Sequence, residues 1–253
     1  MSLATIPSRI LGKLSNTVQF VEVEILFDWI LPKKSQTLTV TQKSTLVFAP
    51  HQDDETLGCG GLIALKRELG VPVKVAFLTD GHKSYLHIKP EDIVQVRKQE
   101  AQEALSILGV APSDVYFIDQ PDGELRQLPN EQELNTINQI VQLLQSFQPE
   151  EVYVPHQKDQ HPDHEATYDL VKAALSKSGI KAQLFQYQVW LFWGRPVLFH
   201  IDLQKLGQSY ILPIKSVLEK KRQAIQVYRS QHHIFPRTFI KRFFKPKEIY
   251  FQS

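Results

Sequence analysis

The sequence predicts an α/β fold: a Rossmann-like three-layer sandwich with a mostly parallel sheet and an active site at the carboxyl edge of its strands. Two observations carry that expectation. From Thr45 onward, short β-branched runs alternate with longer segments of helical period, the pattern of βαβ units. Gly70, Gly109 and Gly179 each close a helical segment before the next strand-like run.

The elements follow in order. TLVFA (45–49) reads as a buried strand, and LGCGGLIALKREL after the next loop reads as a helix. VKVAFL (73–78) is a second strand, followed by a loop through Asp80, Gly81 and His82. A helix near 91–108 keeps Ile93, Val96, Ala101, Ala104, Leu105 and Leu108 at helical spacing. VYFI (115–118) and EVYVP (151–155) are further strands around a helix near 131–147, and another helix covers about 163–177. Residues 18–31 mix period-2 alternation with an apolar run and read as a strand or packed N-terminal arm rather than an interfacial amphipathic helix. Residues 182–202 read as one or two late strands and 215–229 as a closing helix. Right-handed crossovers place the loops that follow the strands on one edge, where open α/β sheets bind ligands. The loops at 49–56, 79–88, 119–129 and 155–165 are therefore the places to look for chemistry.

Composition narrows the function. With 253 residues, 42% hydrophobic and 22% charged, the chain has an ordinary globular make-up and no internal repeat or linker, so one domain over 1–253 is expected. A net charge of +2 offers no field for nucleic acid, and no nucleic-acid partner is expected. The longest stretch free of charged residues, Leu134 to Pro149, is too short and too rich in glutamine to span a membrane, and the N-terminus lacks a secretory pattern. A soluble, cytoplasmic protein is the expectation. A single cysteine, Cys59, excludes a zinc site built on two thiolates within the chain, so any metal must rely on nitrogen and oxygen among nine histidines and the carboxylates.

Two clusters carry that chemistry. The first strand runs into Pro50-His51-Gln52-Asp53-Asp54-Glu55, and the fourth into a loop with His156, Asp159, His161, Asp163 and His164. Helix capping accounts for one or two of these carboxylates but not for the histidines. Both clusters fall on the same sheet edge, which points to a shared site. His51 and Asp54 with one histidine of the second loop supply the three protein ligands of a catalytic zinc with an open position. Asp53 is then free beside the metal to accept a proton from an activated water. His161 is left to stabilise a developing oxyanion, and Asp163 to fix its tautomer and orientation. These parts match metal-assisted hydrolysis of an amide or ester.

The sequence resembles the PIG-L/LmbE-like zinc deacetylases. Residues 50–55 are similar to the family's (A/P)H(P/Q)DDE signature, and His161-Pro162-Asp163-His164 to its HxDH signature. Leu57 to Gly61, Leu78 to Gly81, Arg97 with Glu100-Ala101, Asp119 to Gly123 and Tyr228 to Gln231 extend the resemblance over about 44–233. It implies a hydrolase that removes the acetyl group from an N-acetylglucosamine-like unit of a glycoconjugate or saccharide. The implied zinc ligands are His51, Asp54 and His164, with other divalent metals compatible. Asp53 is the implied base, His161 the residue that assists the tetrahedral intermediate, and Asp163 the residue behind it. Arg97 and Asp119 match substrate-binding positions. Three departures stand out: Gln52 replaces a common proline, Asp159 stands where some members carry a tyrosine, and Tyr228 replaces a common histidine. The alternatives are an amidase or esterase acting on a non-sugar substrate at the same metal, and a non-catalytic binder of glycans or membrane.

Other features have plainer readings. Gly58, Gly60 and Gly61 suit close helix–sheet packing, since the acids before them would repel phosphate, and Cys59 reads as a small core residue. Trp190, Phe192 and Trp193 read as core aromatics or a stacking surface for sugar, and His82 and His87 as loop histidines near the rim. His232 and His233 carry no assignment. The basic segment Pro236 to Lys247 reads first as a closing segment or solvated tail, and second as a peripheral contact with an anionic membrane or glycan.

Overall fold

The computed structural model describes residues 21–83, 89–193, 203–231 and 234–252. A helical stretch, α1 (21–34), and a two-residue strand, β1 (Gln36–Thr37), precede the alternating unit. That unit runs β2 (Thr45–Ala49), α2 (Asp54–Glu68), β3 (Val73–Thr79), α3 (Pro90–Ile107), β4 (Val115–Gln120), α4 (Asn130–Phe147), β5 (Glu151–Pro155), α5 (Pro162–Ser178) and β6 (Gln183–Tyr187). The C-terminal part adds β7 (Gln208–Pro213), α6 (Leu218–Val227), α7 (Arg237–Lys241) and β8 (Lys247–Gln252).

The strands form one sheet in the order β1-β7-β8-β6-β5-β2-β3-β4, parallel except for β8, which runs antiparallel to both neighbours. In β2 the period-2 geometry sends Val47 and Ala49 to one face and Leu46 and Phe48 to the other. The first face packs on α2, α3 and α6; the second packs on α4 and α5. This is the expected three-layer sandwich. From β2 the chain winds outward through β3 and β4, then returns to place β5 on the other side of β2. The loops leaving β2 and β5 thus diverge at a topological switch point, where such sheets open a crevice.

The sequence expectations need correction at both ends. The described part of 18–31 is helical: Val23, Leu26, Phe27 and Leu31 are buried in a cluster with Leu191, Phe192, Ile249 and Phe251. Their spacing is that of a helix, but the alternation across 18–24 masks it. Of the late strands expected over 182–202, β6 is observed, while 194–202 lies outside the described residues. β7 and β8 lie beyond that window, and α6 does not close the fold because β8 follows it and inserts between β6 and β7.

Segment 236–247 is the closing segment of the first reading. Phe239 and Phe243 are buried, and the buried Arg242 guanidinium lies 4.2 Å from the Phe239 ring centroid while donating to the Val189 carbonyl. Burial lowers the Arg242 pKa to about 9. Lys245 and Lys247 pair with Asp28 of α1, at 2.7 and 2.9 Å, leaving Arg237 and Lys241 exposed. No helix among the described residues is long and apolar enough to cross a membrane.

One buried ion pair joins β8 to the layer above it. Glu248 accepts from the Gly61 and Leu62 backbone N–H groups at 2.6 and 2.8 Å, from Lys221 Nζ at 2.6 Å and from the Tyr250 hydroxyl at 2.7 Å. A turn earlier α2 presses so closely on β6 that a Cβ on Gly58 would come within 2.2 Å of the Tyr187 ring. Glu248→Ala leaves Lys221 as a buried charge without its carboxylate. It is expected to destabilise the fold by about 3–5 kcal/mol, measured as the fall in unfolding free energy in urea.

Candidate active site

The site begins where β2 ends. Thr79, at the end of β3, donates from its backbone N–H and its hydroxyl to the Pro50 carbonyl, at 3.0 and 2.8 Å, and so fixes the exit of the first loop. His51 then turns back on Asp54: its backbone N–H and its Nδ1 lie 3.1 and 3.0 Å from Asp54 Oδ2. Between them Asp53 adopts a backbone φ of +149°, a region that costs a non-glycine residue about 1–3 kcal/mol. Its N–H donates to Glu55 Oε2 at 3.1 Å, and Tyr228 donates its hydroxyl to Glu55 Oε1 at 2.5 Å.

The second loop leaves β5 next door. His161 caps α5, with Nδ1 accepting the Asp163 backbone N–H at 3.3 Å. His164, in the first turn of α5, is fully buried; its Nδ1 lies 2.8 Å from Asp159 Oδ2. The same Asp159 carboxylate accepts backbone N–H groups of Val189, Trp190 and Leu191 at 2.8–3.2 Å. It therefore ties the His164 ring to the loop that follows β6.

The loops bring two histidines onto one carboxylate. Besides His51 Nδ1, Asp54 Oδ2 faces His164 Nε2 at 3.2 Å. That ring nitrogen is buried and makes no hydrogen bond. His51, Asp54 and His164 form one of two groups among the described residues that can hold a metal ion; the other joins His51, His161 and Asp163. In the first group the outer nitrogen of each histidine already rests on a carboxylate. His51 Nε2 lies 3.1 Å from Asp163 Oδ2 and 3.3 Å from Asp122 Oδ1, and His164 Nδ1 is on Asp159. Outer carboxylates of this kind orient metal-ligating imidazoles. Two imidazole nitrogens and a carboxylate also suit a divalent cation of borderline softness.

The electrostatics describe a site with excess negative charge. Burial disfavours charged imidazoles, yet Asp122, Asp163 and Asp54 outweigh it and raise the His51 pKa well above its usual value. For His164, burial is likewise outweighed by Asp54 and Asp159, and its pKa rises to about 9. Burial works against ionisation of Asp54, but His164 and His51 hold its pKa well below the usual range. Asp53 differs. Burial and the Asp54 charge push it up to about 8, although Arg97, 3.7 Å away, pulls the other way. His161 falls to about 4, through burial first and then the charges of His164 and His51.

A cavity of about 240 Å³ opens over these groups, lined on one side by His51, Asp53, Asp54 and His161 and on the other by Lys83, Arg97, Asp122, Trp190 and Gln231. Arg97 is buried and donates to the Gln52 carbonyl at 2.8 Å, consistent with its expected place at the site. Gly81 makes room for that arginine: its φ is +70°, and a Cβ there would meet Gln52 Oε1 at 2.4 Å and the Arg97 side chain at 2.9 Å.

Two expectations change. Asp163 does not stand behind His161; its carboxylate bonds His51 Nε2 and accepts the Gly123 and Leu125 N–H groups at 2.7 and 3.1 Å, while only its backbone N–H meets His161. Asp119 is not brought to the cavity. It is exposed, has a φ of +59° and pairs with Lys98 at 2.6 Å. Asp122, three residues on, takes the place beside His51. Nothing in its local sequence distinguishes it beyond its place in the expected loop. Asp159, read from the sequence as a cluster member and a departure from the family pattern, and Glu55, read only as a cluster member, prove to be the anchors of His164 and of the Asp53 backbone. Trp190 lines the cavity with its ring 6.4 Å from that of His161, whereas Phe192 is core. His156 faces away, with Nε2 on the Leu206 carbonyl at 3.1 Å, and His82 pairs with Asp80 at 2.8 Å. His87, His232 and His233 lie outside the described residues.

Residues 46–175 match the family model for PIG-L, described as GlcNAc-PI de-N-acetylase. Over 199 residues the chain is 27% identical to a probable N-acetyl-alpha-D-glucosaminyl L-malate deacetylase 2 of Bacillus subtilis, covering 75% of this chain and 84% of that protein. Among solved structures, the 4-carboxy-2-hydroxymuconate hydratase GalB of Pseudomonas putida KT2440 is similar at a TM-score of 0.60 and 25% identity, over 79% of this chain and 83% of that one. The N,N'-diacetylchitobiose deacetylase of Pyrococcus horikoshii shares the fold at a TM-score of 0.59 and 22% identity, over 96% of this chain and 84% of that one.

The outer carboxylates give a direct test. Asp159→Asn keeps the shape but weakens the anchor of His164, and is expected to lower divalent-metal affinity about 10–100-fold, measured by competition with a chromogenic chelator.

Proposed function

The chain belongs to the PIG-L family, and on that premise we propose that it is a zinc-dependent hydrolase that removes an N-acetyl group from an N-acetylglucosamine-like unit of a glycoconjugate or saccharide. The observation that carries this reading is the convergence of His51 and His164 on Asp54, with a carboxylate behind each ring and Asp53 beside them, paired with Arg97 at 3.7 Å and bound to neither histidine. His51, Asp54 and His164 would hold the metal. When bound, a zinc ion or another divalent cation supplies Lewis acidity and makes hydroxide accessible near neutral pH.

The remaining steps fall to this chain's own residues. Asp53 takes a proton from the attacking water and returns it to the departing nitrogen. Burial and the neighbouring Asp54 charge raise the Asp53 pKa, which strengthens its carboxylate as a proton acceptor. His161, with its pKa near 4, is neutral at neutral pH. Because its Nδ1 accepts the Asp163 N–H, the ring proton sits on Nε2, available to an oxyanion. Arg97, Lys83 and Asp122 give the cavity charged partners for sugar hydroxyls, and the Trp190 face suits the apolar side of a sugar ring. A cytoplasmic setting belongs to this reading.

The likeness to a hydratase favours one competing reading, in which the same site adds water to a carbon–carbon double bond. An acetate-release assay across N-acetylated sugars, sugar lipids and thiol-precursor glycosides separates the two, since hydration releases no acetate. Asp53→Ala is expected to retain metal and lose about 10²–10⁴-fold in turnover, whereas His164→Ala is expected to lose metal. Full activity in Asp53→Ala removes the proposed base.

A further inference from the structure

A second cavity of about 210 Å³ adjoins the polar one, and Asp53, Gln231 and Phe235 line both. Its other walls are Leu57 of α2, Ile225 and Tyr228 at the end of α6, and Ile240 and Phe244 of the closing segment. The character of the two spaces is opposite. The first presents Lys83, Arg97, Asp122 and two histidines. The second is almost wholly aliphatic and aromatic; the Tyr228 hydroxyl is spent on Glu55, and Gln226 is solvent-exposed.

We propose that the apolar cavity receives the acyl group of the scissile amide, and that the same reaction therefore extends from N-acetyl sugars to N-acyl sugars with longer linear chains. This rests on the hydrolase reading above. An amide carbonyl attacked beside Asp53 must send its two substituents in different directions. The hydroxylated amine component matches the polar cavity, where charged groups replace its hydration. The acyl chain matches the cavity on the other side of Asp53, where a polar ring would lose its hydrogen bonds with water and find none in exchange. An acetyl methyl group is comparable in size to one water, about 30 Å³, so the cavity exceeds what acetate alone requires. The chemistry is unchanged: the amide C–N bond breaks, a C–O bond forms from water, and the products are a carboxylate and a protonated amine.

The test uses the zinc-loaded full chain and N-acetyl-, N-butanoyl-, N-hexanoyl- and N-octanoylglucosamine. kcat/KM is expected to rise about three- to fourfold per buried methylene until the cavity is full. Ile240→Trp, which narrows it, is expected to lower the octanoyl-to-acetyl ratio at least tenfold. Calorimetric binding to zinc-loaded Asp53→Asn gives a second readout, with the octanoyl sugar at least tenfold tighter than the acetyl sugar. A wild-type preference for acetyl over butanoyl, or equal binding of the two sugars, overturns the proposal. Failure to cleave any member of the series defeats the hydrolase reading instead, and the binding ratio then still decides what the cavity holds.

Discussion

The structure turns on a concentration of buried negative charge at one point of the sheet edge. Asp54, Asp122, Asp159 and Asp163 are all buried within the reach of two imidazole rings. Buried carboxylates are tolerated only when hydrogen bonds and cations compensate them. Here the backbone does much of that work: Asp159 accepts three main-chain N–H groups from 189–191, and Asp163 accepts two from 123 and 125. The raised pKa values of His51 and His164 express the remainder, a demand for positive charge between them. A divalent cation held by His51, Asp54 and His164 would answer that demand.

This arrangement needs the topological switch. Between β2 and β5 two loops separated by about 100 residues leave adjacent parallel strands in opposite directions. Both motifs are legible in the sequence because each is contiguous and follows an apolar strand. Their meeting is legible because βαβ order places both loops on one edge. What stays hidden depends on backbone detail. Asp119 and Asp122 are equivalent as letters in a loop, and the left-handed turn at Asp119 sends one to Lys98 while the other reaches His51. The Asp163 carboxylate points away from its neighbour in the motif because that neighbour caps the helix through its ring. β8 was hidden by the charged and aromatic run before it, and its docking depends on Glu248 finding the backbone of α2, 186 and 187 residues away in sequence.

Asp159 shows how the outer shell can couple ligand and wall. One carboxylate holds both the His164 ring and the backbone of Trp190, whose ring faces the cavity near His161. Trp190 also packs on Phe239, 4.6 Å between ring centroids, and so reaches the closing segment that walls the apolar cavity. The late C-terminal elements are thus part of the site's architecture, although the family match ends at residue 175.

The two adjacent aspartates show why capping is too small an explanation for the first motif. Asp53 occupies the N-cap of α2, where an aspartate side chain ordinarily accepts an N–H from the first turn. Here it makes no such bond. The free N–H groups around the turn are served instead by Glu55, which takes that of Asp53, and by Asp54, which takes that of His51. A sequence selected for stability alone would use the cap, worth about 1 kcal/mol, and would avoid a φ of +149° at a non-glycine residue. Forgoing the first and accepting the second leaves the Asp53 carboxyl group clear of the helix, 3.7 Å from Arg97 and on the wall shared by a polar cavity and an apolar one. On the proposed reading that carboxyl group is the proton carrier for amide cleavage, with the amine component in the polar cavity and the acyl component in the apolar one.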